Sequence, residues 1–466
     1  MTRRRTALLV TAAAAVAALA VGSDAAAGGP VVGHLLDTPT QHGPTAAAHQ
    51  RHPGGTGGAP ADADRPASAA NRPDPARAGH STGTKQRATA KKQRPTEPVG
   101  VGVEEAGSQD SVTRHVRYTG SPTTTFRYPG ASYVKVHFSR LLVRPGDWVT
   151  VSDESGKQSY TYRGDPRLLK LPNDSPSTVS GSDGFWAMSI TGDTAVVTLH
   201  KTLPGPGLGT LGVDVDKVAH GFTSSQRADR EHRERLAEGR QPESVCGSDD
   251  AQDAACYKTS HPVEYQHSLP VARLLINGTT LCTAWRVTAD DRMLTNHHCV
   301  GDQADASNTE VWFNYQCTTC GGNDIAPVTK VPADKLLRTD ETLDYSLFSV
   351  SNFGSIKRFG YLGLDIRKPK AGEQVYIPQH PEGDPTKLAI ASDGESNSTC
   401  QIDDATMDGY ASNSDTGYRC DTAPGASGSP VIARNSNRVI ALHHLGGCPN
   451  SGVRIDLIYR QIKSLL

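Results

Sequence analysis

Gly425-Ala426-Ser427-Gly428-Ser429-Pro430 leads directly into the apolar run Val431-Ile432-Ala433. A serine between glycines, followed by proline and a β-prone run, reads as a tight turn feeding a strand. Glycine two positions before the serine lets backbone N–H groups converge, so Gly425 and Ser427 are the expected donors of an oxyanion hole. Gly/Ser-rich turns are common, and the string gains its meaning only from what lies upstream.

Two upstream stretches matter. Leu294-Thr295-Asn296-His297-His298-Cys299-Val300 is an apolar strand ending in histidine and cysteine. Cys282 lies one hairpin earlier in Leu281-Cys282-Thr283-Ala284-Trp285, and a Cys282–Cys299 disulfide would pin the histidine in place. The His-His-Cys string, with Cys317 and Cys320 downstream, also invites a zinc reading. Zinc needs a full set of suitably spaced ligands. In an oxidising compartment disulfides are the expected fate, so no metal and no organic cofactor is expected. The second stretch, Thr342-Leu343-Asp344-Tyr345-Ser346-Leu347-Phe348, puts an acid at the head of an alternating apolar strand. A buried carboxylate there would fix the tautomer of an imidazole and stabilise its cation.

The chain order is His298, Asp344, Ser427. With these motifs the segment from Cys246 to Leu466 resembles the chymotrypsin-fold (trypsin-like) serine proteases of the bacterial secreted type. GASGSP stands where that family has its G-x-S-G-[GS]-P string, and TNHHC where it has histidine before cysteine. The resemblance implies His298 rather than His297 as base, Asp344 as its orienting acid and Ser427 as nucleophile, acting on protein or peptide substrates. It is closer still to lysyl and glutamyl endopeptidases, through residues 424–430 (PGASGSP), residues 311–320 (VWFNYQCTTC), and His380-Pro381 followed by Lys387. This relatedness implies disulfides Cys246–Cys448 and Cys256–Cys320. Proximity to the serine loop suggests Cys400–Cys420, which leaves Cys317 over. Ala426 carries no charge, so no new N-terminal amine can pair directly before the serine.

Specificity gives opposed signals. Asp421, six residues before Ser427, stands where a trypsin-like enzyme places the pocket acid that selects Lys or Arg; alternatively it caps a turn beside Cys420. His444 and Gly446, in His443-His444-Leu445-Gly446-Gly447, resemble the pocket wall where glutamyl endopeptidases use a histidine for acidic P1 residues. The balance leans to basic P1, with glutamyl-type specificity or an inactive protease-fold binding protein as alternatives.

The rest of the chain sets the context. Of 466 residues, 48 are basic and 49 acidic, for a net charge of −1, which argues against a nucleic-acid partner. Arg3-Arg4-Arg5, an uncharged run from Ala7 to Val21 and then Ala25-Ala26-Ala27 read as a signal peptide over residues 1–27. This predicts a secreted, extracellular protein with no membrane span once the signal is removed. Residues 28–110 have no aromatic side chain and predict a disordered tether or pro-segment. Residues 111–203 alternate apolar and polar residues between turn signals, and predict a small antiparallel β-sandwich, CUB-like or jelly-roll-like, of unknown ligand. Residues 204–245 read as a linker, with a short exposed helix around 227–240. The expected fold is thus all-β, a two-barrel chymotrypsin-like protease domain over 246–466 preceded by the sandwich and the disordered segment.

Overall fold

The structure, a computed structural model, describes residues 104–164, 184–203, 209–223, 225–227, 229–230, 245–393, 395 and 398–466. The expected signal peptide and nearly all of the expected tether lie outside these residues, as do 204–208 and 231–244 of the expected linker, with most of its expected helix.

The sandwich has two antiparallel sheets. One contains Gly107–Arg117, Tyr133–Leu142, Phe185–Trp186, Ile190–Thr191 and Gly212–Gly221; the other contains Thr123–Arg127, Trp148–Ser152, Ser159–Tyr162 and Thr194–His200. Alternation places Val134, Val136 and Phe138 between the sheets, against Val149, Val151, Val197 and Leu199. The module is larger than residues 111–203. Its first strand starts at Gly107, inside the expected tether, and its last, Gly212–Gly221, falls inside the expected linker. Gly107–Arg117 is largely exposed and polar, so it carries no apolar alternation. In Gly212–Gly221 a register shift between Val215 and Lys217 breaks the period.

The rest is the all-β, two-barrel arrangement. In the first barrel the pairing order is Thr280–Arg286, Val271–Ile276, Thr309–Phe313, Thr329–Asp340, Tyr345–Val350 and Arg292–Thr295. Arg292–Thr295 pairs back onto Thr280–Arg286 and closes the ring. The second barrel runs Val375–Gln379, Pro430–Ala433, Arg438–Leu445, Asn450–Arg454, Asp415–Tyr418 and Ile402–Met407. A bridge between Gln374 and Gln401 joins its ends. The helix Ile455–Ile462 buries Ile455, Ile458 and Ile462 at helical spacing beside Trp285 and Leu442. Disulfides join Cys246 to Cys448, Cys256 to Cys320, Cys282 to Cys299 and Cys400 to Cys420, while Cys317 is a buried free thiol. Among the described residues no helix is long and apolar enough to cross a membrane.

The sandwich docks on the first barrel. Glu104–Glu105 pair with Leu281 and Thr280, the Ala106 N–H donates to Thr279 O at 2.7 Å, and the Tyr133 hydroxyl donates to Gly278 O at 2.7 Å. The first part of Tyr133–Leu142, residues 133–138, is therefore buried on both faces. Its apolar face fills the sandwich, and its opposite face presents Tyr133 and Lys135 to the barrel, where Lys135 pairs with Glu310. Glu310 also accepts from the Ser189 N–H (2.6 Å), the Ser189 hydroxyl (2.7 Å) and Trp312 Nε1 (2.9 Å).

Candidate active site

Asp344 sits in the turn before Tyr345–Val350, with φ at +41°. This left-handed backbone is tolerated by aspartate better than by most residues. The Asn296 side-chain amide donates to Asp344 O at 2.8 Å and fixes that turn. One carboxylate oxygen accepts the His298 backbone N–H at 3.0 Å, and the other lies 2.8 Å from His298 Nδ1. The imidazole is thus held from two points. His298 Nε2 is buried and has no hydrogen-bond partner among the described residues. His297 turns the other way, with Nδ1 2.8 Å from Thr339 Oγ1.

The serine turn is pinned between the barrels. Thr283 N–H donates to Ser427 O at 2.9 Å, and the Thr283 hydroxyl donates to Gly425 O at 3.0 Å. From the second barrel, Gly428 N–H donates to His443 O and His443 N–H to Ser429 O, both at 2.9 Å. Gly428 has φ at +89°, and a Cβ there would lie 2.1 Å from Thr283 O, so only glycine fits. Cys299 Sγ lies 3.9 Å from Ser427 O, which brings the residue after His298 against this turn. The N–H groups of Gly425 and Ser427 donate to no described residue. Cys282 and Cys299 are consumed by their disulfide, which leaves no thiolate beside His298 for a metal.

Residues 282–442 match the family described as Trypsin-like peptidase domain. Over 349 residues the chain is 34% identical to secreted RxLR effector protein 73 of Plasmopara viticola, covering 72% of this chain and 79% of that one. The chain carries a trypsin-like peptidase domain. Similar solved structures include the Rv3671c protease in an inactive form, 16% identical with a TM-score of 0.34, covering 45% of this chain and 94% of that one. A Glu endopeptidase in complex with MPD is 18% identical with a TM-score of 0.34, covering 48% of this chain and 100% of its own.

Within this peptidase domain the residues expected at the pocket have other partners. Asp421 is 1% exposed. Its carboxylate accepts the backbone N–H groups of Cys246 (2.9 Å) and Asp250 (2.8 Å), fastening the start of the domain. Burial pushes the carboxyl up to about 6, against those two bonds. The acid behind the basic-P1 expectation is thus engaged with two backbone N–H groups. The His444 side chain is fully buried behind Asp344, with Nδ1 3.1 Å from Asp344 Oδ2 and Nε2 2.6 Å from Asp415 Oδ2. Gly446 follows the strand Arg438–Leu445, beside Gly447, whose N–H donates to Asn450 Oδ1 at 3.0 Å.

Burial raises the Asp344 carboxyl, but bonds from His298 and His444 outweigh it and hold the group well below the usual carboxylate range. Burial also lowers His444, yet its bonds to Asp344 and Asp415 carry it up to about 9. His443, 2.7 Å from the Tyr418 hydroxyl, is pushed by burial down to about 3 and is neutral. Sequence reasoning missed Asp415 and Thr283. An acid opening the short strand Asp415–Tyr418 and a threonine inside a barrel strand carry no local signal.

Proposed function

We propose that the chain is a secreted serine endopeptidase acting on protein or peptide substrates. The observation that carries this reading is the Asp344 carboxylate gripping both the backbone N–H and Nδ1 of His298, with Nε2 left without a hydrogen-bond partner among the described residues. His298 Nε2 takes the proton of Ser427 Oγ as the oxygen attacks the scissile carbonyl carbon. The N–H groups of Gly425 and Ser427 hold the developing oxyanion. His298 returns the proton to the leaving amine, and an acyl-enzyme remains on Ser427. Water, deprotonated by the same nitrogen, then releases the acid and restores the serine. Asp344 keeps His298 in the tautomer with Nδ1 protonated and stabilises its cation. The disulfides support an extracellular setting.

The test is labelling of mature protein with a fluorophosphonate probe, together with peptide hydrolysis. Ser427→Ala is expected to abolish labelling and to lower kcat by about a million-fold, the loss known for a serine nucleophile in subtilisin. Hydrolysis within tenfold of wild type in that variant would exclude this triad. Clean wild-type protein that never labels would favour a protease-fold binding protein.

A further inference from the structure

We propose that His444 and Asp415 are positioning residues for Asp344, so that His298, Asp344, His444 and Asp415 form one hydrogen-bonded array with a buried imidazolium inside it. The inference rests on the peptidase reading above, because positioning Asp344 matters to catalysis only if His298 is the base.

Donor counting carries it. His444 offers Nδ1 to Asp344 Oδ2 at 3.1 Å and Nε2 to Asp415 Oδ2 at 2.6 Å. A neutral imidazole has one N–H and one lone pair. Either neutral tautomer would aim that lone pair at an ionised carboxylate oxygen in a buried site. The side chains of His444 and Asp415 are fully buried and that of Asp344 is 1% exposed, so the repulsion would be unscreened. With Asp344 and Asp415 both ionised, as the hydrogen bonds each accepts favour, only the doubly protonated ring satisfies both contacts.

The far end of the array is braced. The Ser414 hydroxyl donates to Asp415 Oδ1 and the Ser451 hydroxyl to Asp415 Oδ2, each at 2.7 Å. Tyr410 stands edge-on to the His444 ring, with centroids 5.4 Å apart. The titratable groups around His444 are thus Asp344, Asp415, Tyr410, His298 and its neutral neighbour His443. Asp344 Oδ2 is shared between two imidazoles, and a carboxylate held from both sides cannot rotate away from His298. The charge count also favours catalysis. Two carboxylates and one imidazolium leave a single net negative charge, which the His298 cation neutralises when it forms.

The variant of choice is Asp415→Asn, which keeps size and hydrogen bonding but removes the reason for His444 to be charged. With His444 neutral, Asp344 is a less compensated anion and holds the proton on His298 more tightly. The acid limb of the kcat/KM profile is then expected to move up by about one pH unit. His444→Ala lets Asp344 drift, and kcat is expected to fall about 100-fold with KM nearly unchanged, as for a misplacement near 1 Å. An activity-independent readout is histidine nitrogen NMR of full-length Ser427→Ala protein, where one buried histidine should remain doubly protonated at pH 7.5 and disappear in Asp415→Asn. A neutral His444 at that pH overturns the proposal. So does an Asp415→Asn enzyme with a wild-type acid limb while wild-type activity depends on Ser427. A wild-type protein without Ser427-dependent activity overturns the peptidase reading instead.

Discussion

Glu310→Gln is the sharpest probe of how the sandwich is joined to the protease domain. Glu310 and Lys135 are each 1% exposed and face one another across the junction. The change is nearly isosteric, so packing survives, and the amide oxygen can still accept from Ser189 or Trp312. What is lost is the negative charge opposite Lys135, and Lys330 Nζ lies close by, 3.0 Å from Ser189 O. Removing one partner of a buried pair costs about 3–5 kcal/mol, because the survivor stays desolvated and unpaired. Lys135 can relieve part of this by losing its proton, since burial already pushes its ammonium down. The assay is the thermal midpoint at pH 7.5, compared with the double variant Lys135→Met, Glu310→Gln. The single variant should fall well below wild type and the double variant should recover part of the loss, since the unpaired ammonium is gone while the amide oxygen still accepts from Ser189 or Trp312. A Glu310→Gln protein within about 1 kcal/mol of wild type would refute the buried junction, because only exposed pairs are worth so little.

Gly428→Ala should cost about 2–5 kcal/mol through left-handed strain and overlap with Thr283 O, and should slow fluorophosphonate labelling; wild-type melting and labelling together would contradict the turn geometry. Replacing both Cys282 and Cys299 by Ala, which opens a link of sequence separation 17, should cost about 3 kcal/mol in guanidinium unfolding. Asp421→Asn should leave the ratio of kcat/KM for Arg and Glu substrates unchanged, since its carboxylate serves backbone N–H groups; a pocket acid would move that ratio by orders of magnitude. Burial pushes the Lys330 ammonium from 10.5 down to about 7, although Glu310 resists this. The folded state therefore binds fewer protons than the unfolded chain between those values, and this contribution to stability grows as pH rises through that window and is lost as pH falls through about 7. Melting curves of wild type and Lys330→Met across that range check the slope, which should flatten in the variant.

The order and local setting of His298, Asp344 and Ser427 were legible in the chain because each sits in a contiguous string with its own backbone logic: an apolar strand ending in His-Cys, an acid opening a strand, a serine between glycines. The all-β character was legible too, since half-buried strands print their faces as a two-residue period. The first and last sandwich strands were not. One is largely exposed and polar, and in the other a register shift breaks the alternation after Val215, so neither prints that period along its length.

What the sequence determined by itself was therefore the local setting of residues that is fixed by their neighbours in the chain. What only the tertiary structure decided was where polar side chains with distant partners would point. Asp421 and His444 lie at offsets that suggest a specificity pocket, yet one is turned to the backbone of Cys246 and Asp250 and the other is sealed between Asp344 and Asp415. The junction of Lys135 with Glu310 spans 175 positions and has no local signature. A buried charge must find its counter-charge wherever the fold brings one, and that partner is chosen by barrel closure and sheet packing rather than by distance along the chain.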